Sequence, residues 1–295
     1  MSNNSISFPN LGIYLDYVPK NFQVFGINIA LYGIIIGCGF LLALLYATRE
    51  AKRTGQNQDD YWDLFGWLIV FSILGARIYY VAFAWDFYKD NPMSVFQIRN
   101  GGLAIYGGVI AGAITVYVFC KIKKKDVLQM LDTIAPGLLI GQIMGRVGNF
   151  TNREAFGEYT NGLFAMALPY DYSVVRQRDV TDLMREHLVN IGGVECIQVH
   201  PTFLYESMWN VMVLLLILVY RKKIQKRSGE LLALYFTGYG VGRAWIEGLR
   251  TDQLLLPVVG LPVSQILAII LVIVGICLLF ALRCGKVPKF LEKKE

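Results

Sequence analysis

Long apolar runs alternate with short polar segments along most of the chain. A bilayer core of about 30 Å needs roughly 20 helical residues to cross it, and seven runs approach or exceed that length. We therefore predict seven membrane spans, of which the fourth is the weakest by hydropathy. The expected spans are about Phe22 to Thr48, Tyr61 to Trp85, Gly101 to Cys120, Val127 to Phe150, Thr202 to Tyr220, Leu231 to Leu249 and Val263 to Leu282.

The composition is typical of an integral membrane protein. Hydrophobic residues make up 55% of the 295 residues, charged residues 17%, and the mean hydropathy is +0.46. These values lie outside the range of soluble globular proteins. Residues 1–21 are polar and mixed, so no N-terminal signal peptide is expected. The predicted fold class is an all-α polytopic membrane protein that forms one membrane domain over residues 1–295.

Positive charge collects on one side of the predicted topology. Seventeen of the 28 Lys and Arg residues follow the first, third, fifth and seventh spans. The positive-inside rule then places the N-terminus outside and the C-terminus in the cytoplasm. Charge segregated in this way is not the footprint of a nucleic-acid partner. The clustered residues are Arg49, Lys52, Arg53, Lys121, Lys123, Lys124, Lys125, Arg221, Lys222, Lys223, Lys226, Arg227, Arg283, Lys286, Lys289, Lys293 and Lys294.

The longest polar segment, residues 151–201, falls on the outer face. A connection of this length is usually functional or disordered. Its aromatic residues and its charges of both signs favour a folded segment. We predict a small extracytoplasmic cap, inserted between the fourth and fifth spans and built from short strands or helices.

The arginines within the spans all fall in the outer half of the membrane. A rise of about 1.5 Å per residue places Arg77, Arg146 and Arg243 there, and Arg250 at the outer surface. Charged residues inside spans usually mark functional sites, which predicts a shared outward-facing polar cavity. The alternative is that paired charges only fix helix packing.

The sixth span carries its charges at helical spacing. Arg243, Glu247 and Arg250 lie at positions i, i+4 and i+7, which stacks them on one helix face. Glu247 is expected to hold one of the two arginines while the other faces an anion. The glycine pair Gly107 and Gly108 in the third span predicts a close approach to another helix or to a ligand.

Two motifs carry the candidate chemistry. The run GRVGNFTNREAFG at 145–157 offers an arginine fork, two amides and a carboxylate, a set that suits a phosphate group. The alternative is an interfacial loop whose arginine snorkels. The run HPTFLYE at 200–206 opens the fifth span, with Pro201 in its first turn. His200 and Glu206 would frame the outer mouth, His200 either as a general base or as a cap.

Both runs resemble signature motifs of the prolipoprotein diacylglyceryl transferase family. Tyr32-Gly33 in the first span and the run from Gly238 through Arg243, Glu247 and Arg250 are similar to further motifs of that family. The resemblance covers nearly the whole chain. It implies a bacterial cell-membrane enzyme with an extracytoplasmic active site, whose partners are phosphatidylglycerol, preprolipoprotein signal peptides and membrane lipids. It implies neither a cofactor nor a metal.

The reaction implied by the resemblance joins a diacylglyceryl group to the thiol of a lipobox cysteine and releases glycerol 1-phosphate. Arg146 would bind the phosphatidylglycerol head group and Arg243 would be the second essential arginine. Tyr32, Asn149, Glu154 and Gly157 match other positions that the family needs. The candidate substrate-binding residues are therefore Arg146, Tyr32, Asn149 and Gly157, to which we add Glu247, Arg250 and Arg77.

Three residues are candidates for accepting the thiol proton. Many family members carry a histidine where this chain has Tyr106, so a scheme that uses that histidine is in doubt here. A tyrosine normally titrates near 10, and Tyr106 would need arginine neighbours to act as a base. His200 and Glu154 are the rivals. Two alternative functions are a transporter of an anionic substrate and a phospholipid head-group transferase.

Overall fold

The computed structural model describes residues 4–98, 101–256 and 260–285. The predictions that concern the four lysines from Lys286 onward lie outside these described residues. Contacts divide the chain into two compact units. The first unit contains Met1–Ala43 with Ala135–Cys284, and the second contains Leu44–Ile134 with Gly285–Glu295.

Seven long helices run through the described residues. Six of them are long and apolar enough to cross a membrane, which makes the chain a multi-pass membrane protein. The remaining helix, α7, carries three charged residues within 18, so its crossing stays a prediction. The helices are α1 Leu31–Arg53, α2 Asp59–Phe83, α3 Ile105–Ile122, α4 Val127–Asn152, α6 Thr202–Lys223, α7 Glu230–Glu247 and α8 Val263–Arg283, with the short α5 Asp182–Glu186 before α6.

The predicted start of the first span is wrong. Residues 22–30 belong to a β-hairpin of β3 Asn21–Val24 and β4 Ile27–Ala30, and α1 begins only at Leu31. Polar residues alternate with apolar ones through the hairpin, which is the period of a strand rather than of a helix. Phe25 and Gly26 at its turn both have positive φ, 50° and 79°, as a two-residue hairpin turn of this hand requires.

An antiparallel sheet in the first unit corrects the all-α prediction. Its strand order is β2-β1-β5-β7-β6, and the protein is therefore mostly helical with a small sheet. Two strands come from the N-terminal residues, and three come from the predicted cap segment. The buried side of the sheet includes Ile6, Met166, Leu168 and Ile197. The strands are β1 Ile6–Phe8, β2 Ile13–Leu15, β5 Met166–Pro169, β6 Val189–Ile191 and β7 Val194–Val199.

Close packing of α2 against α3 organises the second unit. A Cβ atom added at Gly107 would overlap the side chain of Tyr79 and the backbone of Gly75. The glycines of the third predicted span are thus used for helix packing, which small residues allow in membrane proteins. Leu64 and Phe119 lie in the apolar cluster of this unit.

Candidate active site

One buried carboxylate joins the two arginines that the sequence singled out. Arg146 on α4 donates from Nη2 to Glu206 Oε1 at 2.9 Å, and Arg243 on α7 donates from Nη1 to Glu206 Oε2 at 2.9 Å. Glu206 lies in the second turn of α6, and its side chain is only 3% exposed. Three helices of the first unit therefore meet at one bridging carboxylate. Arg146 and Arg243 share a single site.

A series of side-chain hydrogen bonds extends the site from Arg146. Its Nη1 donates to Asn149 Oδ1 at 3.0 Å, and Asn149 Nδ2 donates to Glu154 Oε1 at 3.0 Å. Glu154 also accepts from Asn152 at 3.3 Å and from Arg176 at 3.1 Å. Because its two oxygens serve three donors, Glu154 orients the asparagine that in turn orients Arg146.

On the other side, Glu247 fixes Arg243. The two residues lie at i and i+4 of α7, and Arg243 Nη2 is 2.5 Å from Glu247 Oε2. The prediction that Arg250 stacks on the same helix face is wrong, because α7 ends at Glu247. Arg250 instead makes two hydrogen bonds to Asp252, at 2.8 and 2.7 Å, and stays 3.9 Å from Glu247.

The network balances its formal charges. Four arginines meet four carboxylates, so the formal charges of these eight residues cancel, and each of the buried carboxylates Glu206 and Glu247 has an arginine partner, as the cost of burying an unpaired ion requires. In the described part of the chain, Arg146 uses two of its five N–H groups in hydrogen bonds to Glu206 and Asn149. Arg243 uses one in a hydrogen bond to Glu206 and forms an ion pair with Glu247. Donors therefore remain on both guanidinium groups for an anion. The arginines are Arg146, Arg176, Arg243 and Arg250, and the carboxylates are Glu154, Glu206, Glu247 and Asp252.

The backbone after α4 is strained where it presents Glu154. Arg153 and Ala155 both adopt left-handed conformations, with φ of 55° and 56°. Such strain in non-glycine residues tends to persist at functional sites. Arg153 itself is buried and donates to the carbonyl oxygens of Asn4 and Val18, each at 2.6 Å. It ties the N-terminal segment to the site loop.

Tyr32 packs directly on α4 next to this network. A Cβ atom added at Gly148 would lie 2.6 Å from the Cδ2 atom of the Tyr32 ring. Only a glycine lets the ring come this close to the helix backbone. Tyr32 thus covers the turn that separates Arg146 from Asn149, and its predicted role in substrate binding stays a prediction.

His200 precedes α6 at the edge of the same unit. Its Nδ1 lies 3.3 Å from the hydroxyl oxygen of Tyr205. Burial lowers the pKa of His200 below its usual 6.5, so the ring is neutral at pH 7. A neutral imidazole can accept a proton, which keeps His200 among the candidate bases.

Gly157 holds the site loop against the start of α6. Its N–H donates to the carbonyl oxygen of His200 at 2.8 Å, and it forms an isolated bridge with Arg250. A Cβ atom there would lie 2.5 Å from the carbonyl oxygen of Leu249 and 2.9 Å from Thr202 Cγ2. No side chain fits at this position without moving backbone.

We expect Gly157→Ala to lower both the thermal stability and the transfer activity, because the loop that carries Glu154 must shift. Forcing a side chain into a packed site costs about 1–3 kcal/mol. Melting of the purified protein and turnover check this. Gly162→Ala is the matched control, since its nearest neighbour would be only the Thr160 hydroxyl at 3.3 Å. Equal effects of the two substitutions would contradict the packing argument.

Arg77 and Tyr106 lie in the second unit. Arg77 is buried and donates to the carbonyl oxygens of Ser94, Val95, Gly101 and Gly102 at 2.7–2.9 Å. These four bonds assign it to holding the loop between α2 and α3. Tyr106 is the second residue of α3 and is half-buried. Their predicted roles toward substrate stay predictions.

The sequence analysis placed Glu206 beside His200 at the outer mouth but did not predict its contacts with the arginines. A signal for it exists, because Glu206 closes the HPTFLYE run and is the only acidic residue of α6. Arg176 and Asp252 were also missed. They lie in connecting segments whose spacing gives no direct indication of their partners.

Comparison with known proteins decides the family. The family described as prolipoprotein diacylglyceryl transferase matches residues 19–281. The chain belongs to the prolipoprotein diacylglyceryl transferase family. The resemblance seen in the motifs is thereby confirmed.

Relatives named phosphatidylglycerol–prolipoprotein diacylglyceryl transferase align over nearly their whole length. A protein of Finegoldia magna is 40% identical over 87% of this chain and 92% of its own length. One from Lysinibacillus sphaericus is 38% identical over 96% of this chain and 99% of its own. One from Clostridioides difficile is 40% identical over 86% and 91%. This family membership therefore extends across the helices that carry the arginine network.

Proposed function

We propose that the protein transfers the diacylglyceryl group of phosphatidylglycerol to the lipobox cysteine of preprolipoproteins, the first step of lipoprotein maturation. The relatives that align over most of this chain are named for this reaction. The observation that carries the proposal within the chain itself is the arginine pair on Glu206. Two guanidinium groups from separate helices, with donors to spare, suit one phosphodiester.

The reaction requires the site to accept the thiol proton and to stabilise the charge on the departing phosphate. The cysteine sulfur attacks the glycerol carbon that bears the phosphate ester, a sulfur–carbon bond forms, and the carbon–oxygen bond breaks. The electron pair leaves on the phosphate oxygen as glycerol 1-phosphate, and the thiol proton must pass to an acceptor. A free thiol has a pKa of about 8.5, so little thiolate exists at neutral pH.

In this proposal Arg146 and Arg243 bind the phosphate and stabilise the charge that grows on it. Arginine stays protonated and donates in two directions, which makes it effective toward a departing phosphate. Asn149 adds an amide next to Arg146, held by Glu154. Glu206 and Glu247 orient the two arginines.

We propose His200 as the proton acceptor ahead of Glu154 and Tyr106. Its imidazole is neutral at pH 7 because burial lowers its pKa, while both oxygens of Glu154 already serve donors. The fold favours neutral His200. Its contribution to stability is therefore present above pH 6.5 and is lost as the pH falls through the lower pKa of the folded state.

A pH profile tests this assignment. We expect kcat/KM of the unsubstituted protein to fall on the acid side below pH 6.5, as His200 takes up a proton. His200→Gln should remove that limb and lower turnover by about 10²- to 10⁴-fold, the usual contribution of a general base. His187→Gln, a change at the only other histidine, is the control. If His200→Gln keeps both its turnover and the acid limb, His200 is not the base.

The proposal also includes the topology. All seven long helices would span the cell membrane, with the N-terminus and the arginine network on the extracytoplasmic side. Basic residues in the last turns of α1, α6 and α8 support this orientation. The sheet that joins β1 and β2 to β5–β7 would form the cap above the membrane surface.

An assay with defined substrates tests the function. Purified protein in phosphatidylglycerol vesicles is mixed with a lipobox peptide, and the peptide mass is measured. Addition of one diacylglyceryl unit to cysteine, with release of glycerol 1-phosphate, supports the proposal. Movement of lipid or peptide across the vesicle membrane without a covalent product would support the transporter alternative instead.

A further inference from the structure

One helical turn after Glu206, α6 carries a buried polar side chain that has no hydrogen-bond partner among the described residues. Asn210 on α6 is fully buried, and neither Nδ2 nor Oδ1 has a hydrogen-bond partner among the residues that the structure describes. Buried amides are normally hydrogen-bonded, and an exception calls for a ligand, a water or a functional reason. Asn210 follows Glu206 by four residues and so shares its helix face.

The neighbouring helices carry polar groups at the same level. Gln142 precedes Arg146 by four residues on α4, and its Nε2 donates to the hydroxyl of Tyr235 on α7 at 2.8 Å. The Oε1 atom of Gln142 is buried and lacks a partner within the described ranges. Asn210, Gln142 and Tyr235 thus continue the faces of Glu206, Arg146 and Arg243, one or two helical turns away.

Two hydrogen bonds align the three helices at this level. Ser207 on α6 donates to the carbonyl oxygen of Ile143 on α4 at 3.5 Å, and Trp209 donates to the carbonyl oxygen of Gly238 on α7 at 2.8 Å. Four residues of helix span about 6 Å, which is comparable with the reach of a glycerol unit beyond a phosphate. The uncharged polar groups therefore form a layer next to the proposed phosphate position.

We infer that Asn210 and Gln142, with Tyr235, form a subsite for the hydroxyl groups of the alcohol esterified to the lipid phosphate. Amides donate and accept, and so do the hydroxyls of a polyol. A site with buried polar groups rejects an analogue that lacks the matching hydroxyls, because those groups stay unpaired. An ammonium head group would add a positive charge beside two arginines. The subsite thus selects a neutral polyol, and it rests on the proposed phosphate position between those arginines.

The test compares two lipids that share the phosphodiester and differ only beyond it. Phosphatidylglycerol and phosphatidyl-1-propanol are assayed with one lipobox peptide, and the ratio of their kcat/KM values is the readout. The unsubstituted protein is expected to prefer phosphatidylglycerol. In Asn210→Leu and in Gln142→Leu the ratio should fall roughly 5- to 30-fold, the effect of one or two lost hydrogen bonds.

Melting curves separate this role from a structural one. Because Asn210 has no partner among the described residues, Asn210→Leu should not lower the melting temperature while it lowers the ratio. Met208→Leu, an exposed position on the same helix, is the control and should change neither. An unchanged ratio in folded Asn210→Leu, or no preference in the unsubstituted protein, overturns the inference. Arg146→Ala should lower kcat/KM for both lipids equally. Failure of the proposed phosphate site can therefore be distinguished from failure of the polyol subsite.

Discussion

Arg146→Ala is expected to lower diacylglyceryl transfer by at least about 10²- to 10³-fold, the usual effect of removing one donor that stabilises transition-state charge. Arg146 contacts both Glu206 and Asn149, so its loss removes the phosphate donor and also the orientation of the amide beside it. The rate at which the lipobox peptide gains mass measures the effect.

Arg146→Lys separates charge from geometry. A lysine keeps the charge but cannot donate from a planar fork, so it should recover only part of the activity. Arg178→Ala is the control, since Arg178 is 76% exposed in the segment between α4 and α6. An unchanged rate of diacylglyceryl transfer by a correctly inserted Arg146→Ala protein would contradict the proposed role of Arg146.

Glu206→Gln is expected to lower both the stability and the activity of the protein. The substitution breaks both ion pairs and leaves two guanidinium groups facing each other without their shared counter-charge. Removal of one member of a buried ion pair typically costs about 3–5 kcal/mol. We expect a fall in melting temperature and a loss of activity on the order of 100-fold, because misplacement of a binding group by an ångström has that effect.

Glu206→Asp keeps the charge on a shorter side chain. Its stability and activity should therefore lie between those of the unsubstituted protein and those of Glu206→Gln. Glu195→Gln, an exposed carboxylate of β7, is the matched control for the loss of one negative charge. Glu206 acts here as a positioning residue. If Glu206→Gln lowers stability but leaves kcat and KM for phosphatidylglycerol unchanged, Glu206 serves the fold alone.

Spacing along one helix predicted an ion pair that the structure shows, whereas predicted depth alone gives no partner for a side chain. The i and i+4 relation of Arg243 and Glu247 was correct because both lie within α7. Arg250 departed from it because the helix ends first. Helical rise predicts for Arg77 a depth similar to that of the other arginines, and its observed hydrogen bonds go to loop carbonyls. Depth gives a level in the membrane but not the direction in which a side chain points.

Partners from distant parts of the chain escaped the sequence analysis. Glu206 joins Arg146 across 60 residues, and a single sequence carries no rule for which helix faces which. The hairpin before α1 and the N-terminal strands of the sheet were missed for another reason. Their strands have three or four residues, too few for a two-residue period to stand out beside a long apolar helix.

The central claim is that Arg146 and Arg243 bind the negative charge of the lipid phosphodiester. The most direct measurement compares kcat/KM for phosphatidylglycerol with that for its methyl phosphotriester, which differs at the phosphate by one added methyl group and the loss of the negative charge. The account predicts a strong preference for the charged diester that collapses in Arg146→Ala and in Arg243→Ala. An equal preference in the arginine variants and in the unsubstituted protein would contradict it.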